Sequence, residues 1–447
     1  MARSPKIPLS RSLITGALAC LPLMSAAETG EAQRQAPLPL EDLRTFTKVY
    51  EHIRKGYVEE ISDKTLLEYA IKGMLSELDP HSAYLNENSF DDLQVNTTGE
   101  FGGLGIEVGM ENGFVKVISP IDETPAARAG VEAGDLIIKL DEKSVKGMSL
   151  QQAVEHMRGA KGSEITLTIV RDGKDQPFEL VLVRDTIKVQ SVRTRVLEDG
   201  YGYLRIAQFQ VNTGKDTAEA IEKLQKDTEL KGLILDLRNN PGGVLQASVE
   251  VADAFLNDGL IVYTDGRIEN TDVRYKAEDG DITGGLPIVV LINDGSASAS
   301  EIVAGALQDH RRAVIMGTQS FGKGSVQTVI PLSDARAIKL TTALYYTPNG
   351  RSIQAQGIVP DIEVGRATVT SVQSNWRVSE ADLDGHLNNG NGGKESNSED
   401  RQKAQENRSD LFTRDNQLFE ALNLLKGLNL FGHQSLTPRN NDEPPQT

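Results

Sequence analysis

The sequence predicts a multidomain α+β protein in which a helical N-terminal region precedes a compact β-rich domain and a larger α/β core. Three observations carry the prediction: two helix-periodic apolar stripes after Leu43, short glycine-punctuated β-type runs from Glu100, and a regular strand–helix alternation after Asp185. A chain of 447 residues exceeds what one hydrophobic core organises, and 38% apolar content can fill a core in each of two or three domains.

Residues 1–27 have the order of a secretory signal peptide: the basic residues Arg3, Lys6 and Arg11, an apolar run from Leu13 to Met24, then Ser25-Ala26-Ala27. The run is short and interrupted by Pro22, whereas a permanent membrane helix needs about 20 apolar residues. Cleavage after Ala27 is the expectation, and an uncleaved anchor is the alternative. Cys20 is the only cysteine and lies inside this segment, so the remaining chain can form no disulfide. Ala17-Leu18-Ala19 before it makes a poor lipoprotein signal. The net charge of −17 becomes −20 without Met1–Ala27. Such an acidic surface repels phosphate backbones and anionic lipid, which disfavours nucleic acid and membrane surfaces as partners.

Residues 28–99 are expected to hold a polar lead and a helical region. Leu43, Phe46, Val49, Tyr50 and Ile53 recur at helical spacing, and a second stripe runs from Leu66 to Leu78 until Asp79-Pro80 stops it. Residues 100–185 read as one β domain, with runs at Gly105–Val108, Phe114–Ile118, Leu136–Leu140, Ile165–Arg171 and Phe178–Val183 and a helix near Leu150–Arg158. In 186–366 strands at Gly202–Gln208, Gly232–Leu237 and Ile288–Ile292 alternate with helices at Lys215–Lys226, Leu245–Leu256 and Ala299–Gln308, which argues for a largely parallel sheet covered by helices. Residues 367–410 lose apolar density and read as a tether. In 411–447 a stripe of Leu411, Leu418, Leu422 and Leu425 suggests a helix that either self-associates or packs back on the body.

The buried run Leu286–Ile292 leads into Asn-Asp-Gly-Ser-Ala-Ser-Ala-Ser and then a helix, so Ser298 stands on a tight turn at the carboxyl edge of a sheet. Ala297 and Ala299 leave room for a carbonyl, and the helix start directs amides and positive dipole at the same point, an arrangement suited to an oxyanion. A plain turn and N-cap is the competing reading. A serine hydroxyl needs a base. None of the six histidines shares a short motif with Ser298, which disfavours a histidine triad. Lys323 lies between Gly322 and Gly324 after an apolar strand, where burial can make it a neutral amine, and Gln327 can orient it. An exposed lysine on a glycine bend is the alternative. A second glycine turn, Asp236-Leu-Arg-Asn-Asn-Pro-Gly-Gly243, offers another oxyanion donor, with Gly243 favoured over Gly242.

These three segments resemble the core motifs of the C-terminal processing peptidases, the tail-specific proteases among them. The spacing of Ser298, Lys323 and Gln327, 25 and then four residues, is that of the family, and Leu78-Asp-Pro-His-Ser-Ala-Tyr84 resembles its N-terminal signature. The resemblance implies a crotonase-like or Clp-like α/β core, a Ser298–Lys323 dyad assisted by Gln327, an oxyanion hole from the amide of a glycine in the Asn-Pro-Gly-Gly turn and that of Ala299, and no metal or organic cofactor. Phe101-Gly-Gly-Leu-Gly-Ile-Glu-Val108 resembles the carboxylate-binding loop of PDZ domains: amides around Gly103, Leu104 and Gly105 can hold a chain terminus, and Ile106–Val108 can accept an added strand. The expected activity is therefore exported serine endopeptidase action on unfolded or C-terminally exposed proteins, with an activating adaptor and a homo-oligomer through the C-terminal helix as further expected partners. A non-catalytic PDZ adaptor and an acyl-CoA enzyme on the same core are the rivals.

Overall fold

The computed structural model describes residues 39–432 except 122, 268–271, 279, 334, 368–379, 381–382 and 388–414. The expected signal peptide with Cys20, most of the expected tether and Leu411 lie outside the described residues. Two compact units divide the chain at Tyr69 and Ala70. In the first, the helix Leu40–Gly56 places Glu41 and Asp42 in its first turn and Arg54 and Lys55 in its last, both favourable to the helix dipole. Its stripe of Leu43, Phe46, Val49 and Ile53 is exposed.

In the second unit, Ile106–Glu111, Phe114–Pro120, Leu136–Leu140, Glu164–Val170 and Phe178–Val183 form an antiparallel sheet in that order. Alternate residues point inward, so Ile165, Leu167 and Ile169 join Val115, Val117 and Ile137 in one core. The helix Leu150–Met157 adds Ala153 and Met157 to it and starts in a capping box between Ser149 and Gln152. A ribbon of Glu100–Gly103 against Asp185–Lys188 closes the points where the chain enters and leaves this domain.

The core sheet runs Val192–Glu198, Tyr201–Ile206, Gly232–Asp236, Ile288–Ile292, Val314–Gly317 and Ile362–Glu363; the first pair is antiparallel and the rest parallel. Both faces are covered, which is why Gly232–Asp236 and Ile288–Ile292 read as continuous apolar runs rather than alternating ones. Leu233, Leu235, Val290 and Ile292 face the helices Thr213–Asp227, Leu245–Asp253 and Ala299–Asp309. Ile234, Val289 and Leu291 face Leu418, Ala421, Leu422 and Leu425 of the helix Asn416–Gly432. That contact is the packing back on the body that the stripe allowed: Leu418, Leu422 and Leu425 are covered by the same chain, while Leu428 and Leu430 of the helix stay exposed. A second sheet escaped the sequence reading. Its strand Arg336–Tyr346 pairs with Ala83–Leu85, Ser325–Ser333 and Leu260–Gly266.

Candidate active site

The strand Ile288–Ile292 feeds a turn closed from within. Asn293 Oδ1 accepts the Gly295 amide at 3.1 Å, and Ser296 Oγ donates to the Leu237 carbonyl at 2.8 Å. Ser296 is therefore a stitch between turns. Ser298 follows as the residue before the helix Ala299–Asp309, half-buried, with φ 56° and ψ −112°. A non-glycine residue in that region costs about 1–3 kcal/mol and persists only where its surroundings impose it. Gly242 is one such neighbour: a Cβ there would lie 2.8 Å from Ser298 Cβ and 2.7 Å from the Ala297 carbonyl oxygen, so the two turns touch where only glycine fits.

Asn240 holds the glycine turn against the serine turn. It is fully buried. Its carbonyl accepts the Ala297 amide and the Ser300 hydroxyl, each at 3.0 Å, while its side chain donates to the Ile206 carbonyl and accepts the Gly242 amide, each at 2.9 Å. The Gly242 N–H is thus consumed. The Gly243 N–H donates to nothing among the described residues, and Ala299, the first residue of its helix, has no intrahelical acceptor for its own. Gly243 has φ 143°, and a Cβ would fall 2.0 Å from the Phe209 carbonyl oxygen.

Glu301 joins the serine turn to the lysine loop. Its side chain is buried, and its carboxylate accepts the Ser298 amide at 2.7 Å, the Lys323 amide at 2.9 Å, the Gly322 amide at 2.7 Å and the Ser320 hydroxyl at 2.6 Å. Burial pushes its pKa up, and those four hydrogen bonds oppose the shift. Ser298-x-x-Glu301 has capping-box spacing, a signal that the sequence reading did not use. Lys323 is half-buried, and burial, with the charge of Lys339, lowers its pKa against the pull of Glu301 and Asp79. Among the described residues no hydrogen bond joins its Nζ to Ser298. Gln327 also does not reach it: Nε2 donates to Ser325 Oγ at 2.9 Å and to the Ser325 carbonyl at 3.2 Å.

Two further groups border this site. The buried Tyr345 donates to the Lys323 carbonyl; burial, then Glu301, raises its pKa well above 10, while the Ser298 hydroxyl beside it lowers it. In the Leu78–Tyr84 motif, burial pushes the Asp79 pKa up, but hydrogen bonds from Ser82, the His81 amide and Thr341 outweigh this and hold it at about 2. Burial and the charge of Lys323 push the His81 pKa down. The other histidine near the core, His310, is taken by the Leu260 carbonyl at 2.7 Å.

Profiles for known families match three parts of the chain: Peptidase family S41 at residues 200–364, PDZ domain at 102–182 and Activating protease CtpB N-terminal domain at 21–89. The carboxy-terminal-processing protease of Bartonella bacilliformis is 54% identical over 351 residues, covering 78% of this chain and 81% of its own length. The chain belongs to the carboxy-terminal processing proteases. The carboxyl-terminal-processing protease of Synechocystis is 38% identical, covering 69% of this chain and 74% of its own length. For CtpA of Bacillus subtilis the figures are 36%, 71% and 68%. The molecule is thus a serine protease with an S41 core and a PDZ domain, and its substrates are proteins.

In the PDZ domain of this protease, Gly103 ends the entry ribbon and Leu104 is buried, its carbonyl accepting the Ala126 amide at 2.9 Å. Gly105 has φ 75°, and its carbonyl accepts the Ile121 amide at 2.9 Å and the Thr124 hydroxyl at 3.2 Å. The amides of Leu104 and Gly105 have no acceptor among the described residues. The strand Ile106–Glu111 is the edge of its sheet, with Ile106 and Val108 packed on the core and one side unpaired. Among the described residues no helix is long and apolar enough to cross a membrane.

Proposed function

We propose that this protease is an exported serine endopeptidase that binds polypeptide C-termini on its PDZ domain and cleaves through an acyl-enzyme on Ser298. The observation that carries the reading is the pair of unspent amides, Gly243 and Ala299, flanking a serine held at φ 56°. In the mechanism the uncharged form of Lys323, which burial favours, takes the Ser298 proton as Oγ bonds to the substrate carbonyl carbon, and the two amides hold the oxyanion. The lysine then protonates the leaving amine as the C–N bond breaks. Water then loses a proton to the neutral Lys323 amine as it bonds to the ester carbonyl carbon, the C–Oγ bond breaks, and the lysine returns that proton to Ser298. Gln327 orients Lys323 once the lysine side chain turns toward Ser298.

The edge strand Ile106–Glu111 suits strand addition, and the free amides of Leu104 and Gly105 suit a terminal carboxylate. Export rests on the basic, apolar and small-residue order of residues 1–27; in a Gram-negative cell a chain exported in this way is periplasmic. The match to an activating-protease N-terminal domain supports control by an adaptor protein. The test is to incubate the mature chain with an unfolded secreted protein and map fragments by mass spectrometry. Ser298→Ala should still bind the tail and cut nothing; continued turnover by clean Ser298→Ala ends the reading, and indifference to Lys323→Ala favours an adaptor.

A further inference from the structure

Arg238 stands two residues after Asp236, the buried last residue of its strand, and one residue before the turn that presents Gly243. Its side chain folds back: Nε and Nη2 donate to the Asp236 carboxylate at 3.0 and 2.6 Å. On the other side Nη1 and Nη2 donate to Asp415 at 2.9 and 2.8 Å, and Nη1 donates to Gln417 Oε1 at 2.9 Å. A guanidinium has five N–H donors, and here all five are used. Three of the five bonds come from the start of the C-terminal helix, separated from Arg238 by more than 170 positions.

The helix is seated independently of this contact. Leu418, Leu422 and Leu425 are buried on the sheet, Gln417 Nε2 donates to the Val364 carbonyl at 2.7 Å, and Lys426 pairs with Glu198 at 2.6 Å. Asp415 and Gln417 are thereby delivered to the edge of the sheet where the catalytic turns lie. From Arg238 the coupling is short: Asn240, two residues on, carries the Gly242 amide on its side chain and the Ala297 amide and Ser300 hydroxyl on its carbonyl.

We propose that the C-terminal helix is a positioning element of the oxyanion turn, acting through the clamp of Asp415 and Gln417 on Arg238. The proposal rests on the reading of Gly243 as an oxyanion donor. With the clamp open, the half-buried guanidinium loses three of its bonds and seeks new partners, and the adjoining turn moves with it. A displacement of about 1 Å at reacting groups costs roughly 10²-fold in rate.

The test compares the full chain with Asp415→Ala, Asp415→Glu and Lys426→Ala, reading kcat and KM on an unstructured tail and the rate at which a fluorophosphonate labels Ser298. Melting temperatures follow how far each change loosens the helix. Asp415→Ala should lower kcat and the labelling rate at least tenfold with KM nearly unchanged, Asp415→Glu should restore part of the loss, and Lys426→Ala should lower the melting temperature without lowering kcat. Where Asp415→Ala does not fold, Gln417→Ala, which removes one of the three bonds, is read the same way. Wild-type labelling and kcat in the clamp variants overturn the clamp and leave the protease reading intact. An unaltered chain that neither labels nor cleaves overturns both.

Discussion

Replacing Glu301 by Gln tests the joint between the serine turn and the lysine loop without changing its shape. Each carboxylate oxygen accepts two donors: one takes the Ser298 and Lys323 amides, the other the Gly322 amide and the Ser320 hydroxyl. An amide nitrogen in place of Oε2 faces two backbone donors and loses both bonds; in place of Oε1 it loses the Gly322 amide, while the Ser320 hydroxyl can reverse and accept from it. Ser320 Oγ already accepts the Ile358 amide at 2.7 Å and has one further lone pair for the new side-chain amide. Hydrogen bonds to a charged group are worth about 1.5–3 kcal/mol each, and the less costly orientation loses one, so the loss should be roughly 1.5–3 kcal/mol, read by urea denaturation. Because Ser298 and Lys323 are both held through this carboxylate, kcat should also fall by about 10²-fold even in the folded fraction. A variant within about 1 kcal/mol of the parent and with undiminished kcat would refute the argument.

Gly242→Ala puts a methyl group against Ser298 Cβ and the Ala297 carbonyl, and should reduce kcat by about 10²-fold with little change in KM, measured on the same tail. Activity should rise with pH as Lys323 loses its proton, with the midpoint below the usual lysine value near 10.5; Lys339→Gln removes a cation that lowers that pKa, so the pH–rate limb should move to higher pH. Lys323→Met removes a group whose charged form burial penalises, and should abolish cleavage while adding about 0.5–2 kcal/mol of stability at neutral pH. For a lysine lowered in the folded state, the unfolded chain binds the proton more readily, so the parent's stability deficit is full below the folded pKa and fades as pH rises towards 10.5.

The parallel core was legible because strands buried on both faces have a one-dimensional signature, and Ile288–Ile292 followed by small residues places Ser298 at a strand–helix turn without further help. Glycine at 242 and 243 was legible as a turn, with Gly243 favoured; what the sequence did not show is the Asn240 side chain that takes the Gly242 amide. Glu301 hid in plain view as an acidic residue in a first helical turn. Arg238 and Asp415 could not be paired from sequence, since nothing local to either residue marks a partner at such a distance. The C-terminal stripe was visible from its period, yet a stripe states only that something covers it, and Ile234, Val289 and Leu291 are what does. The hairpin of Ser325–Ser333 and Arg336–Tyr346 was missed because much of it is solvated, with Val329, Ile330 and Leu332 exposed, so burial imposed no clean alternation.

Intact-mass analysis of the mature chain mixed with a slowly hydrolysed ester tests the catalytic assignment most directly. The account predicts one acyl group, mapped to the peptide holding Ser298, formed faster as pH rises and absent from Lys323→Ala. An acyl group on another residue, or undiminished acylation of Ser298 in Lys323→Ala, would contradict it.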